Sequence, residues 1–172
     1  MKILRTVAEM RHYVVDATLK GKSIGFVPTM GFLHAGHLSL IAASKNDNQL
    51  TIVSIFVNPI QFGPNEDFDK YPRDFRHDER LLENAGVDVV FYPELTEMYP
   101  RKNEVSFEFN SLDKCLCGLK RPGHFQGVAL VVSKLFNIVK PRRAYFGQKD
   151  YQQTVVVKKL VEDLNFELEV VV

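Results

Sequence analysis

The chain has little of what marks a secreted, membrane-bound or nucleic-acid-binding protein. Only two of its 172 residues are cysteine, Cys115 and Cys117. Alternate side chains of an extended segment point to opposite sides, so Cys-x-Cys is poor disulfide spacing. As half of a zinc site it lacks a second pair nearby. The two read as free thiols of a cytoplasmic protein. No stretch approaches the roughly 18 apolar residues of a membrane span; the best run, 128–132, ends at Ser133 and Lys134. Lys2, Arg5, Glu9 and Arg11 occupy the N-terminus, where a signal peptide needs an apolar core. Charge of one sign is also scarce: 22 Lys+Arg against 21 Asp+Glu leave +1. Holding nucleic acid or an anionic membrane needs a basic surplus, so neither partner is expected. The sum leaves room for a local basic patch. Internal repeats, low-complexity tracts and linkers are missing too, and one domain covers residues 1–172.

What is present is ordinary globular composition, 45% apolar and 25% charged, which excludes disordered, collagen-like and coiled-coil classes. A chain of this size buries about 70% of its unfolded surface, enough for a core of its own. Leu4, Val7, Met10, Val14 and Ala17 step by three and four, predicting a first amphipathic helix that runs to about Lys20 and stops at Gly21. Residues 24–27 read as a buried strand closed by Pro28, and 36–46 as a helix. Residues 50–57, LTIVSIFV, are the clearest strand, ended by Asn58-Pro59. A charged helix over 74–84, a strand over 87–92, an irregular stretch over 93–103 and an edge strand over 105–109 follow. Val128, Val131, Val132, Leu135 and Val139 share a helical face; 143–146 is a short strand; 156–164 has helical period; 166–172 is a last strand. Strands alternating with helices, themselves almost continuously apolar, predict an α/β fold. It is a Rossmann-like, doubly wound parallel sheet with helices on both faces. The final strand stops without a helix, cap or polar tail, and reads as the end of a piece cut from a longer chain, against the plainer reading of a native C-terminal strand docked into the sheet.

In an open parallel sheet, ligands sit beyond the carboxyl ends of the strands, and the unusual residues cluster in those loops. After the first strand comes Pro28-Thr29-Met30-Gly31-Phe32-Leu33-His34-Ala35-Gly36-His37. Gly31 and Gly36 permit tight turns and close approach to a ligand. His34 and His37, three apart at a helix start, face the same side of its first turn. Free N–H groups and the helix dipole favour an anion there. The segment therefore reads as a polyphosphate cradle without a Walker lysine, beside the plainer reading of two loop histidines. A metal pair is a poor fit, because a third ligand or nearby carboxylate is lacking.

Asn58-Pro59-Ile60-Gln61-Phe62 reaches the same edge. Asn and Gln offer both donors and acceptors, suited to a small hydroxy acid; turn chemistry alone explains Asn58 but not Gln61. In Gly147-Gln148-Lys149-Asp150-Tyr151-Gln152-Gln153, Lys149 suits a phosphate and Asp150 a helix cap or a magnesium ion, with Gln153 on the same face. Arg121-Pro122-Gly123-His124 carries two candidate phosphate contacts, against the reading of a structural loop.

PTMGFLHAGH, SIFVNPIQF, YPRD, RPGHFQGV with VSKLFN, and FGQKDYQQ, in that order and across essentially the whole chain, resemble the motif series of the pantoate–β-alanine ligase family. His-x-Gly-His alone is shared with the wider nucleotidyltransferase and class I aminoacyl-tRNA synthetase superfamily; the five ordered blocks are much narrower. The resemblance implies a two-step reaction. ATP and (R)-pantoate give pantoyl adenylate and pyrophosphate, and β-alanine then displaces AMP. It implies that His37 is the catalytic donor, with His34 beside it and Lys149 neutralising phosphate oxygens. Met30, Gly31, Phe32, Leu33, His34, Ala35, Gly36 and His37 match one ATP segment; Gly147, Gln148, Lys149 and Asp150 match another. Gln61, Gln153 and Asn58 would hold pantoate, and Gln61 would also touch β-alanine. Magnesium would arrive with ATP rather than at a metal site of the protein, and a cytoplasmic homodimer is the default.

The chain departs from the family at Ala35, where many members are acidic, and at Gln148, where several carry Glu. It also lacks the family's Ser-Ser-Arg-Asn segment and the smaller C-terminal domain that covers the site, so the piece is expected to bind ATP weakly and to be a poor catalyst alone. Two alternatives stand beside this reading: a nucleotidyltransferase acting on another acceptor, and a non-catalytic nucleotide-binding module. The first needs basic residues where FVNPIQF offers neutral amides. A tRNA-charging fragment fits poorly with the +1 charge and the absence of an anticodon-reading extension.

Overall fold

Six short strands carry the architecture of the computed structural model, which describes residues 1–63, 68–113 and 117–172. They are β1 (Lys2–Leu4), β2 (Ile24–Thr29), β3 (Leu50–Ile55), β4 (Val89–Phe91), β5 (Arg143–Tyr145) and β6 (Glu169–Val171). All pair in parallel, in the order β1-β4-β3-β2-β5-β6. The helices are α1 (Val7–Leu19), α2 (Ala35–Asp47), α3 (Phe75–Asn84), α4 (Leu95–Met98), α5 (Cys117–Lys120), α6 (His124–Val139) and α7 (Tyr151–Asp163). The expected doubly wound α/β sheet is what folds.

Neighbouring strand residues point to opposite faces, and in the central strands both faces are apolar. Phe26, Ile52 and Val89 pack with α1, α6 and α7, while Val27, Val53 and Val90 pack with α2 and α3. That is why these strands read as unbroken apolar runs rather than alternating ones. No helix among the described residues is long and apolar enough to cross a membrane.

Several expectations change. Leu4 belongs to edge strand β1, paired with Phe91, not to the first helix. The helix starts after Thr6, whose hydroxyl accepts from Glu9 N while the Glu9 carboxylate accepts from Thr6 N. This capping box outweighs the apolar spacing that pointed to an earlier start. The stretch 93–103, expected to be irregular, contains α4. The stretch 105–109 is not a strand; alternation alone supplies no ladder, and Phe107 and Phe109 instead pack on the α6 side of the core. Residues 64–67 and Cys115, with the loop-closure and thiol questions attached to them, lie outside the described residues.

Strand order reverses at β2, with β3 on one side and β5 on the other. β2 pairs with β3 along its whole length but with β5 only at Gly25 and Phe26. Beyond Phe26 the two strands part, so Pro28, which has no N–H to give a ladder, is tolerated near the end of a central strand. The gap so opened is the switch-point crevice of a doubly wound sheet.

Candidate functional site

The gap widens into a cleft of about 590 Å³, within the usual range for small-molecule sites. It gathers Met30, His34, Gly36 and His37 from the β2–α2 loop and Asn58 and Gln61 from the turn after β3. Gly147, Gln148, Lys149, Asp150 and Gln153 reach it from the β5–α7 segment. Val128, Val131, Val132 and Leu135 of α6 form an apolar wall. Among the residues expected in the ATP segments, Gly31, Phe32, Leu33 and Ala35 do not line it. Their backbone builds the turn that delivers the histidines.

That turn is held from an unexpected quarter. Asp78, buried at 1% exposure in α3, accepts from Phe32 N at 2.9 Å with one carboxylate oxygen and from Leu33 N at 2.7 Å with the other. Gly31 at φ 84° and Phe32 at φ 52° are both left-handed. A Cβ on Gly31 would come within 2.9 Å of Asp78 Oδ2, so glycine is needed for its φ and for the close approach. A sequence signal existed: Asp78 lies between Phe75 and Leu82 at spacings of three and four, on the inward stripe of α3. A carboxylate on such a stripe calls for buried donors.

At the start of α2 the two histidines cap the helix. His34 Nδ1 accepts from Gly36 N at 3.1 Å, and His37 Nδ1 lies 3.4 Å from His34 N, which donates to it. A backbone N–H only donates, so both Nδ1 atoms are bare and, in the neutral rings, both protons sit on Nε2. The ring centres are 4.2 Å apart. Burial, then the neighbouring His34, push the His37 pKa below that of ordinary histidine, while the Asp78 and Asp150 carboxylates pull it the other way. His37 therefore presents a neutral N–H donor at pH 7. Not all helix N–H groups are free for an anion, because Gly36 N already serves His34.

Gln61 sits on the opposite wall, buried at 7% exposure. Its Oε1 accepts from Asn58 Nδ2 at 3.2 Å, and its Nε2 lies 3.0 Å from Met30 Sδ. Both protons of Asn58 Nδ2 are engaged inside the protein, the second by Gly127 O at 3.1 Å; Tyr99 O–H donates to Asn58 Oδ1 at 2.9 Å. Asn58 thus holds Gln61 in place. The Arg121–Gly127 segment grips the same turn. His124, 7% exposed, sets Nδ1 at 2.9 Å from Gln61 O, and Arg121 lies 3.2 Å from its Nε2. The carbonyl can only accept, so Nδ1 carries the proton. A Cβ on Gly127 would fall 2.6 Å from Gln61 N, so a helix glycine lets α6 press against the turn. Of the two readings for this segment, His124 fits the structural one.

Lys149 and Asp150 are exposed at the rim. Asp150 stands at the N-cap position of α7, but its side chain makes no capping bond, which leaves both oxygens available to the cleft. Tyr71 also lines the cleft. Arg73 fixes its segment by donating to the backbone oxygens of Phe68, Asp69 and Tyr71 at 2.9–3.2 Å. Burial, then Asp78 and Asp150, raise the Tyr71 pKa, so its hydroxyl stays protonated. Among the described residues no group of three or more His, Cys, Asp or Glu side chains forms a metal site.

Comparison with known proteins bears on the whole chain. The sequence model of the family described as Pantoate-beta-alanine ligase matches residues 2–172. The pantothenate synthetases of Fervidobacterium nodosum and Moorella thermoacetica are each 57% identical over 171 residues, 99% of this chain and 61% and 60% of theirs. The crystal structure of the Thermus thermophilus pantothenate synthetase superposes with a TM-score of 0.92 at 50% identity, over 99% of this chain and 60% of that one. That of the Francisella tularensis pantoate–β-alanine ligase, complexed with β,γ-ATP and β-alanine, gives 0.94 at 42% identity, over 99% and 66%. The chain spans about three fifths of the length of these curated relatives. On sequence and on fold, the chain belongs to the pantoate–β-alanine ligase family.

Proposed function

We propose that the protein, at its full length, condenses (R)-pantoate with β-alanine in an ATP-dependent, two-step reaction. In the first step a pantoate carboxylate oxygen attacks the α-phosphorus, the bond to pyrophosphate breaks, and pantoyl adenylate forms. In the second the β-alanine amine attacks the acyl carbon, loses a proton, and expels AMP. The observation that supports this best is the convergence, in one cleft, of a histidine pair at a helix start, a rim lysine, and neutral amides on the facing wall.

The residues divide the work by charge. Little covalent chemistry is asked of the protein at phosphorus, so catalysis is alignment and charge stabilisation. His37, with His34 beside it, directs Nε2–H donors at the phosphate charge that grows in the transition state. Lys149 neutralises phosphate oxygens. The loop from Met30 to His37 and the segment from Gly147 to Asp150 hold ATP. Gln61 and Gln153 hold pantoate, with Asn58 fixing Gln61, and Gln61 also meets β-alanine. Magnesium bound by ATP keeps most of its ligands from phosphate and water and needs only one or two carboxylates from a protein. The uncapped Asp150 fits that role, and such an ion would offset phosphate charge.

The first test is pantoate-dependent exchange of labelled pyrophosphate into ATP, with AMP released only when β-alanine is added. Exchange without pantoate, or a phosphorylated acceptor outperforming pantoate, would overturn the assignment. Residues 1–172 alone are proposed to bind ATP weakly and turn over poorly; rates equal to those of the full-length protein would refute this. A cytoplasmic homodimer completes the proposal, its stoichiometry to be read by sedimentation.

A further inference from the structure

We propose that Tyr99, which does not line the cleft, works with the Gly127 carbonyl to hold the Asn58 orientation that sets which end of the Gln61 amide meets the substrate, and is therefore a positioning residue for recognition of the acid. The inference rests on the reading of Gln61 as a residue that holds the acid. The two ends of an amide are nearly alike in shape, and their orientation is set by their partners. Here the order can be traced from a fixed point. Gly127 O only accepts, so the Asn58 atom 3.1 Å away is Nδ2, and Oδ1 faces the Tyr99 hydroxyl at 2.9 Å. The other Nδ2 proton meets Gln61 at 3.2 Å, which calls for Oε1 there and leaves Nε2 on the Met30 side. Gln61 and Met30 both line the cleft.

The amide thus offers a donor, which suits a carboxylate or hydroxyl oxygen and discriminates against an ammonium. Tyr99 supplies the donor that keeps the buried Asn58 Oδ1 satisfied, and so holds Asn58 in the orientation from which Gln61 takes its own. Its ring is seated separately, 6.0 Å from Phe56 between ring centres and 4.5 Å below Lys134 Nζ. Burial raises the Tyr99 pKa, so the hydroxyl remains a donor at any physiological pH.

Tyr99→Phe keeps the ring and both of its neighbours and removes only the hydroxyl. In the full-length protein the pantoate KM should rise about fivefold, the effect of one hydrogen bond, with the ATP KM changed less than about twofold. In ligand-free, ¹⁵N-labelled protein the Asn58 and Gln61 side-chain amide resonances should shift and their protons exchange faster. Unchanged resonances with an unchanged pantoate KM overturn the proposal, as does an equal rise in both KM values. Lys134→Met tests the ring contact alone. It should leave the pantoate KM unchanged, and an effect matching that of Tyr99→Phe would assign the result to packing. Gln61→Ala is run in parallel. An unchanged pantoate KM there removes Gln61 from the acid site, a separate failure, since the resonance shift still decides whether Tyr99 orients it.

Discussion

The two walls of the cleft are built on opposite physical plans. On the α2 side the chemistry-bearing groups are exposed or half-buried: His34, His37, and across the rim Lys149 and Asp150. They are oriented by a backbone turn and by short-range capping. On the α6 side the amides of Asn58 and Gln61 are buried, neutral, and locked from behind by Tyr99, His124 and Gly127. The difference follows from desolvation. An ammonium or carboxylate is expensive to bury, so the charged groups at the rim stay near water. A neutral amide can be buried once its partners are supplied, and a buried, fully partnered amide is held rigidly.

The comparison predicts where substitutions act. The largest effect is expected on the exposed wall: His37→Ala should lower kcat about 100-fold or more, the loss of a preorganised charge-stabilising donor, and single-turnover adenylation at the wild-type rate would break the division proposed between the walls. Next, Gly127→Ala should strain the buried wall, because its Cβ would meet backbone atoms of Gln61 at 2.6–2.7 Å. Overpacking of that kind destabilises by about 2 kcal/mol, or roughly 4–8 °C in Tm for a domain of this size. Thermal unfolding reads the first consequence, and the ratio of pantoate to ATP KM reads the second, a selective loss of acid binding. Lys149→Ala should slow adenylation about tenfold while sparing the β-alanine step, as expected for one charge-assisted contact. Rapid-quench measurement of the two half-reactions separates these, and equal slowing would make Lys149 structural.

The smallest effect concerns pH. With its pKa lowered by burial and by His34, the His37 ring in the ligand-free chain should titrate below ~6.5, the value of an unperturbed histidine. Asp150 stabilises the protonated ring, so Asp150→Asn should move the midpoint lower still. An NMR titration of the ring resonances follows both. A midpoint above that of free histidine would mean that the carboxylates outweigh burial, and that His37 works as a cation.

Much of this was legible before any coordinates. The alternation of apolar runs with helical stretches carried the sheet, and the ordered motifs carried the loops that meet in the cleft. What was not legible depends on contacts distant in sequence. Leu4 has a helix-compatible spacing, yet its hydrogen bonds lie with residues some ninety positions away. The 105–109 stretch alternates like a strand but finds no pairing strand among the described residues. Asp78 could have been suspected from its place on the inward stripe of α3, whereas nothing near Tyr99 in sequence hinted at Asn58.

By itself, then, the sequence determined most of the local matters: the main strands and helices, where the chain turns, and which polar and charged side chains stand at the strand ends. Those follow from short-range sterics, side-chain periodicity and turn residues. Only the tertiary structure decided how those side chains are aimed. The direction of a histidine proton or an amide end is set by the partner on its far side. Here those partners are the α2 backbone, the Gly127 carbonyl and the Tyr99 hydroxyl, the last two brought into place by packing rather than by neighbourhood in the chain.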